Sequence, residues 1–135
     1  MKTRQLIDLE NTRRERRWLE KNHPLRQLFW ECTLRCNLSC RHCGSDCRKV
    51  SVTPDMPLEH FLPVLDDVAA HCNSSQVLVN TVGGEPLVRR KDIIALCKKH
   101  NDCAFHAYTN GTLIDDEFAE EVRKVGTLSF SISMS

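Results

Sequence analysis

The chain has 135 residues, of which 41% are hydrophobic and 27% charged, and its formal net charge at pH 7 is +1. This composition is that of one ordinary globular domain, and it excludes a chain too polar to bury a core. The almost neutral charge gives no overall electrostatic reason to bind nucleic acid or an acidic membrane.

The first segment, residues 1–24, is basic and is predicted to form a helical segment ahead of the main domain. Lys2, Arg4 and Asp8 interrupt any apolar run at the N-terminus, which excludes a secretory signal pattern. No stretch approaches the roughly 18 apolar residues that a membrane span needs. We therefore expect a cytoplasmic protein that has neither a membrane nor a nucleic acid as its partner.

Residues 3–22 of this segment are predicted to be helical. Thr12 and Glu15 have the spacing of a capping box, which suggests two short helices broken near Asn11. The arginines that follow are interpreted as a solvated helical face, because no aromatic residues for base stacking are interleaved with them. The apolar residues are expected to pack on the body of the protein: Leu6, Leu9, Trp18 and Leu19.

From residue 25 to the end, apolar runs alternate with helical repeats. The runs predict strands over 25–31, 76–82, 104–109 and 128–134, and the repeats predict helices over 57–71, 91–100 and 115–125. Pro63 is expected to kink or delay the first of these helices. The alternation implies an α/β fold with parallel strands covered by helices. Because a closed barrel of eight such units needs roughly 250 residues, residues 25–135 are predicted to form about half of a partial TIM-type barrel, cut short after the fourth strand.

Cysteines are concentrated in a long polar loop predicted over residues 32–56. In a reducing compartment such clustering is typical of metal ligands rather than of disulfides. Cys36, Cys40 and Cys43 are spaced C-x3-C-x2-C. Three thiolates can bind three irons of a cubane cluster and leave the fourth iron open to another ligand.

The other cysteines leave alternatives open. Cys32 and Cys47 are near enough to join the cluster, although we interpret them as packing residues or spare thiols. Three more are expected to be ordinary small buried residues: Cys72, Cys97 and Cys103. The alternative is a zinc-binding module, in which Cys40 and Cys43 are joined by Cys47 or by the pair Cys97 and Cys103.

A second motif, Gly83-Gly84-Glu85-Pro86, follows the second predicted strand and precedes its helix. Ligands of parallel α/β sheets bind beyond the carboxyl ends of the strands, and the cysteine loop follows the first strand at that same edge. We expect the two glycines to let the backbone approach a ligand closely, and Glu85 to suit a ligand's ammonium group. The alternative is a Gly-Gly turn with a solvent-exposed Glu85.

Together these motifs resemble the radical SAM superfamily. The resemblance is carried by CNLSCRHC, which is followed 40 residues after its last cysteine by GGEPL. The wider phrases WECTLRCNLSCRHCGSDC and TNGTLI are similar to the branch that often carries a C-terminal SPASM or twitch extension. The similarity runs from about Leu28 to the end of the chain.

The resemblance implies a set of cofactor contacts. Cys36, Cys40 and Cys43 would ligate a [4Fe-4S] cluster, and the methionine part of S-adenosylmethionine (SAM) would chelate its fourth iron. The residues implied to contact SAM are His42, Gly83, Gly84, Glu85, Pro86, Asn110 and Ser133. Within this set the diglycine and Glu85 would hold the amino group, Pro86 would fix the turn, and His42 would lie beside the adenine. Ser133 matches a family serine near the ribose, whereas Ser135 stands where the family often has aspartate.

The resemblance also implies an activity. A low-potential electron donor of the flavodoxin or ferredoxin type would reduce the cluster, and SAM would be cleaved to a 5′-deoxyadenosyl radical that abstracts hydrogen from a substrate. The substrate is unidentified, and a peptide or protein is one candidate. The alternative is a truncated, inactive remnant that still binds the cluster, and the isolated 135-residue chain is expected to turn over substrate poorly.

Overall fold

The computed structural model describes residues 3–133. The helices are α1 (Thr3–Asn22), α2 (Leu58–His71), α3 (Arg90–Lys99) and α4 (Asp116–Val125). The strands are β1 (Gln27–Thr33), β2 (Leu78–Gly83), β3 (Ala104–Thr109) and β4 (Leu128–Ile132). Short 3₁₀ helices, Ser74–Gln76 and Pro86–Arg89, lie before and after β2. Within the described range, no helix has the length and apolar character needed to cross a membrane.

The four strands form a single sheet in which every pairing is parallel. Their order across the sheet is their order in the sequence, β1-β2-β3-β4. From β1 to β4, each strand is joined to the next through a helix, as parallel pairing requires. The predicted α/β fold is therefore confirmed, and its geometry is that of part of a βα barrel preceded by a helix.

One face of the sheet carries the hydrophobic core. Trp30 of β1 stacks on Phe61 of α2 with 4.3 Å between ring centroids, and Phe118 of α4 meets Phe130 of β4 edge to face at 6.0 Å. Alternate residues of a strand point to opposite faces. The other face therefore includes Phe29 and Tyr108, which are 58% and 46% exposed. The helices α2, α3 and α4 thus lie on the core side, which leaves the second face open beneath the strand ends.

The helix α1 differs from what its sequence predicts. It runs unbroken from Thr3 to Asn22, and the Thr12 hydroxyl donates to the Asp8 carbonyl inside the helix instead of capping a new one. None of its described residues is buried, and Leu6 and Trp18 are 50% and 57% exposed. The expected packing of α1 on the body is therefore wrong, because its apolar side chains are scattered among charged ones and form no coherent stripe.

The helix α2 tolerates Pro63 without delay. It begins at Leu58 and continues through the proline to His71. The proline removes one backbone hydrogen bond. Three side chains of the helix, one before the proline and two after it, are nevertheless buried in the core: Phe61, Leu65 and Val68. Tertiary packing of this face holds the helix where local propensity disfavours it.

Candidate cofactor site

The end of β1 is irregular at the point where the cysteine loop begins. The pairing of β1 with β2 shifts register between Glu31 and Thr33, which leaves Cys32 as an extra residue. Cys32 and Thr33 are consequently both buried, although consecutive strand residues normally alternate. The Thr33 hydroxyl donates to Asp55, whose carboxylate also pairs with Arg35 at 2.5 Å. Both ends of the loop are therefore anchored next to the sheet.

The diglycine segment extends β2 along this anchored loop. The Gly84 N–H donates to the Thr33 carbonyl at 2.8 Å, and the Glu85 N–H donates to the Arg35 carbonyl at 2.9 Å. A Cβ atom on Gly83 would lie 2.1 Å from the Thr33 oxygen, and one on Gly84 would lie 2.1 Å from the Arg35 oxygen. Glycine is thus needed here for contact between two backbones, whereas the sequence had suggested contact with a ligand.

This contact predicts a sharp difference between two glycine substitutions. Gly84→Ala is expected to lower the free energy of unfolding by about 1–3 kcal/mol. The added Cβ would clash with the backbone carbonyl of Arg35, which cannot move aside as a flexible side chain would. Gly44→Ala is the matched control, since nothing lies within 4 Å of its Cβ position. Urea denaturation of the two variants measures the difference, and equal stability would contradict the described packing.

The carboxylate of Glu85 lies inside the protein. The residue is 1% exposed, so the exposed-glutamate alternative is wrong. Its Oε1 accepts from the Leu87 N–H at 2.9 Å and from the Thr109 hydroxyl at 2.7 Å, and its Oε2 accepts from the Asn110 N–H at 2.8 Å. These three donors are neutral, so they orient the carboxylate without supplying a countercharge. Such a group is suited to receive a cation.

Pro86, the residue after this carboxylate, is buried and begins the 3₁₀ helix Pro86–Arg89. Glu85 caps that helix through the same bond to Leu87. Proline suits a first helical position because its fixed φ matches the helix and its missing N–H is not needed there. The sequence therefore directs the chain into a tight turn that holds the carboxylate over the ends of β2 and β3.

The cysteine loop gives its thiols different environments. Cys43 lies at the surface, and backbone N–H groups of Cys47 and Ser45 lower the pKa of its thiol, which favours the metal-binding thiolate. Cys47 is buried, and burial raises the pKa of its thiol, as does the charge of Cys43. Cys36 is half-buried, and its N–H donates to the Arg48 carbonyl at 2.7 Å.

A cavity of about 310 Å³ brings the predicted residues together. Its lining includes every predicted contact except Pro86, together with three residues that were not predicted to contact a cofactor. The lining residues are Cys36, Cys40, His42, Cys43, Cys47, Gly83, Gly84, Glu85, Tyr108, Thr109, Asn110 and Ser133. Ser133 reaches it because its N–H donates to the Thr109 carbonyl at 2.9 Å, whereas Ser135 lies outside the described residues.

A larger cavity of about 750 Å³ lies beside this one, against the N-terminus of α3. It contains no cysteine. Three of its arginines each pair with an aspartate of the same cavity: Arg35 with Asp55, Arg89 with Asp92, and Arg90 with Asp115. Because the three arginines are paired and no thiol lines this cavity, the smaller cavity is the better candidate for an iron–sulfur cofactor.

The donor set of this cavity suits an iron–sulfur cluster, because the cysteines that line it lie on one loop. Across residues 3–133, no three His, Cys, Asp or Glu side chains already converge on one metal position. The thiolates of a cubane bind three different irons and therefore lie further apart than the ligands of one zinc ion. The soft thiol donors around one shared cavity match what such a cluster requires.

One form of the zinc alternative is wrong. Cys103 immediately precedes β3, whereas Cys40 and Cys43 lie in the loop that follows β1, so they are at opposite edges of the parallel sheet. Cys97 and Cys103 are buried in the core, and burial raises the pKa of the Cys97 thiol to about 12. Both are thus the packing residues that the sequence indicated. Cys72, by contrast, is only half-buried.

Three residues at this edge were not assigned a role from sequence. The Thr109 hydroxyl holds Glu85, and the amide of Asn37 joins Asn110 and Thr112. Asn110 contacts Glu85 through its backbone, while its side chain is engaged within the protein. The available signal was positional, because Asn37 directly follows Cys36, Thr109 is the last residue of β3, and Thr112 lies in the turn after it.

Comparison with known proteins identifies the family to which most of the chain is similar. The model of the Radical SAM superfamily matches residues 30–135. The chain is 34% identical over 109 residues to Fe-coproporphyrin III synthase of Methanosarcina barkeri, covering 79% of this chain and 26% of that protein. It is 30% identical over 111 residues to AdoMet-dependent heme synthase of the same organism, covering 81% and 31%.

A third relative has a name that refers to a different role. It is the tungsten-containing aldehyde ferredoxin oxidoreductase cofactor-modifying protein of Pyrococcus furiosus, which is 33% identical over 104 residues, covering 76% of this chain and 28% of that protein. The chain thus spans about a quarter to a third of the length of these relatives.

Proposed function

This chain belongs to the radical SAM superfamily, and we propose that Cys36, Cys40 and Cys43 hold a [4Fe-4S] cluster while Glu85 receives the ammonium group of SAM. Members of this family are enzymes that bind both cofactors. The observation that carries the proposal is the single cavity that these thiols share with a buried carboxylate. One small molecule is able to touch both within such a space.

When bound, the two cofactors supply one-electron reductive cleavage of SAM to a 5′-deoxyadenosyl radical, which abstracts hydrogen from a substrate. The protein's part is to bind and orient. Glu85 is held by three neutral donors, so its charge remains available to an ammonium group without side-chain movement. The N–H groups of Gly84 and Glu85 donate to carbonyls of the protein. An ammonium group is itself a donor, so the Glu85 carboxylate oxygens are the acceptors that it needs at this turn.

The remaining contacts are proposed from the position of each residue in the cavity or beside it. His42 is exposed on the cysteine loop and lines the cavity, where it would lie beside the adenine. Ser133, at the far side, would approach the ribose. Asn110 is proposed to act through Glu85, because its N–H fixes that carboxylate. Pro86 would keep the turn in place beneath all of them.

The cofactor proposal is tested by anaerobic reconstitution of the protein with iron and sulfide. Absorbance at about 400 nm is expected for the loaded cluster, and dithionite with SAM is expected to release 5′-deoxyadenosine and methionine. A protein that loads the cluster but releases neither product would support the inactive-remnant alternative. About one zinc per chain without sulfide would instead support the zinc module.

Family members generally use a reductant, and we propose a flavodoxin- or ferredoxin-type carrier for this protein. All eight cysteines are free, which suits the reducing, cytoplasmic setting that such carriers share. Two exposed cations lie in the cysteine loop, Arg41 and Lys49. Positive charge beside the cluster would attract an acidic carrier and raise its association rate.

This charge predicts a carrier-specific defect. Lys49→Glu is expected to lower kcat/KM for an acidic flavodoxin about threefold at low ionic strength, with the difference vanishing at high salt. Dithionite-supported SAM cleavage is expected to stay unchanged, because a small reductant needs no docking surface. Lys21→Glu on exposed α1 is the control. Equal flavodoxin kinetics for wild type and Lys49→Glu would contradict docking at this loop.

The matched region of the relatives is the part that carries the proposed cofactor residues. Two relatives have names that refer to heme or coproporphyrin synthesis, and one is named as a cofactor-modifying protein. The similarity therefore supports shared cofactor chemistry rather than a shared substrate. None of these three names refers to the peptide substrate that the sequence left as a candidate.

A further inference from the structure

Three side chains at the carboxyl edge of the sheet form a closed ring of hydrogen bonds, the Asn37–Asn110–Thr112 ring. The Asn110 Nδ2 group donates to Asn37 Oδ1 at 2.9 Å, and the Asn37 Nδ2 group donates to Thr112 Oγ1 at 2.8 Å. The Thr112 hydroxyl closes the ring by donating to Asn110 Oδ1 at 2.7 Å. Every member both donates and accepts once within the ring, an arrangement in which each bond polarises the next.

The ring has one direction only. The Thr112 hydroxyl has a single hydrogen, which is used toward Asn110, so its oxygen must accept from Asn37. The Thr112 N–H also donates to Asn110 Oδ1 at 3.0 Å, which fixes the orientation of that amide. Removing the Thr112 hydroxyl therefore breaks two of the three bonds of the ring. The bond from the Thr112 N–H to Asn110 Oδ1, which holds the turn after β3, stays intact.

The ring joins the two halves of the cavity. Asn37 is bonded covalently to Cys36, the first proposed iron ligand. Asn110 donates its N–H to Oε2 of Glu85, the proposed ammonium acceptor. A backbone bond, from the Glu85 N–H to the Arg35 carbonyl at 2.9 Å, already ties the residue before Cys36 to the main chain of Glu85. The ring adds a side-chain tie from the residue after Cys36 to Asn110, whose N–H holds the Glu85 carboxylate. By contrast, Cys43 is tied within its own loop, through its N–H to the Cys40 carbonyl at 3.2 Å.

We propose that the Asn37–Asn110–Thr112 ring is a positioning device that fixes Cys36 relative to the Glu85 carboxylate, and so sets the span that SAM must bridge. The proposal rests on the proposed function, since it takes Cys36 as an iron ligand and Glu85 as the acceptor for SAM. Its members are half-buried or exposed, and Asn110 also lines the cavity; in this proposal none of the three side chains is a ligand of iron or SAM. They act through Cys36 and Glu85.

The test compares Thr112→Val, which removes the hydroxyl while keeping the shape, with Thr112→Ser, which keeps the hydroxyl. In the cluster-loaded protein, Thr112→Val is expected to raise the Kd for SAM about fivefold, the size expected from losing one or two partly exposed hydrogen bonds. The Kd is read from the SAM-dependent change in the electron paramagnetic resonance spectrum of the reduced cluster. Thr112→Ser is expected to bind SAM with the wild-type Kd. Thr12→Val on α1, which removes a hydroxyl far from the cavity, is the matched control.

A double-mutant cycle tests whether the three side chains act as a unit. Asn37→Ala is expected to raise the same Kd about fivefold, and Asn37→Ala with Thr112→Val no further, because either change already opens the ring. Hydrogen exchange of the metal-free protein is the second measurement. The amides of residues 36–47 are expected to exchange faster in Thr112→Val than in Thr112→Ser.

The outcomes separate the two proposals. An unchanged Kd and unchanged exchange in Thr112→Val, or strictly additive effects in the cycle, would overturn the ring proposal while leaving the cofactor assignment standing. A wild-type protein that loads no cluster would contradict the proposed function and with it the role claimed for the ring.

Discussion

Replacing Cys36, Cys40 and Cys43 together with alanine is expected to abolish cluster binding completely. Alanine offers no donor to iron, and no other thiol of the described residues is placed to supply three new ligands at this cavity. After anaerobic reconstitution, the iron content and the absorbance at about 400 nm are expected to fall to the background of unreconstituted protein. Colorimetric iron and sulfide determination measures the loss independently of absorbance.

Cys47→Ala is the matched control for this loss. Cys47 lines the same cavity, but its N–H donates to the Cys43 sulfur at 3.4 Å and its thiol donates to the Ser45 carbonyl at 3.7 Å, so in this proposal it supports Cys43 instead of binding iron. The variant should retain most of its iron and its SAM cleavage. If the triple variant kept its cluster, or if Cys47→Ala lost it, the assignment of the three ligands would be wrong.

The second large effect is expected for Glu85→Gln, which should weaken SAM binding about 100-fold, as is typical when one partner of a buried charged contact is removed. The substitution removes the only negative charge among the protein's donors and acceptors at this turn. It also places an amide opposite the Asn110 N–H or the Leu87 N–H, so a donor faces a donor. Titration of the cluster-loaded protein with SAM measures the change in Kd.

Glu15→Gln on exposed α1 makes the same chemical change far from the cavity and is expected to leave SAM binding unaltered. Cluster loading of Glu85→Gln should remain near that of wild type, because the carboxylate is not an iron ligand in this proposal. A Glu85→Gln protein that loads its cluster and binds SAM with wild-type affinity would contradict the role of Glu85. Loss of the cluster itself would contradict the separation of roles between thiols and carboxylate.

The architecture explains why residues from distant parts of the sequence meet at one edge. In a parallel sheet every strand ends at the same side, so the segments after β1, β2 and β3 are neighbours. The cysteine loop, the diglycine turn and the Asn110 turn are these three segments. Backbone bonds join Gly84 and Glu85 to the loop. Asn110 then locks the three segments together, because its N–H donates to the Glu85 carboxylate and its side-chain amide donates to Asn37.

Local sequence was sufficient where one short-range rule dominates. The strand β3 has the predicted bounds, Ala104–Thr109, and α4 begins one residue after the predicted position because Asp115 is its cap and accepts from the Phe118 N–H. The alternation of strands and helices gave the parallel α/β fold for the same reason, since periodicity depends only on neighbours along the chain. The cysteine spacing together with the Gly83-Gly84-Glu85-Pro86 motif identified the family that the comparison confirms.

Long-range contacts decided the rest. The end of β1 extends two residues beyond the predicted strand because a bulge buries both Cys32 and Thr33. The capping-box spacing in α1 proved misleading, because Thr12 bonds back into a helix that continues.

The sequence by itself determined the order of elements, the three candidate iron ligands and the acidic turn, since each is written in consecutive residues. Only the tertiary structure decided that Gly83 and Gly84 pack against backbone, that Glu85 is buried, and that Asn37 reaches Asn110. The physical reason is that steric and hydrogen-bond partners of these groups lie 24 to 73 positions away in the sequence. Spacing within one segment carries no information about such partners.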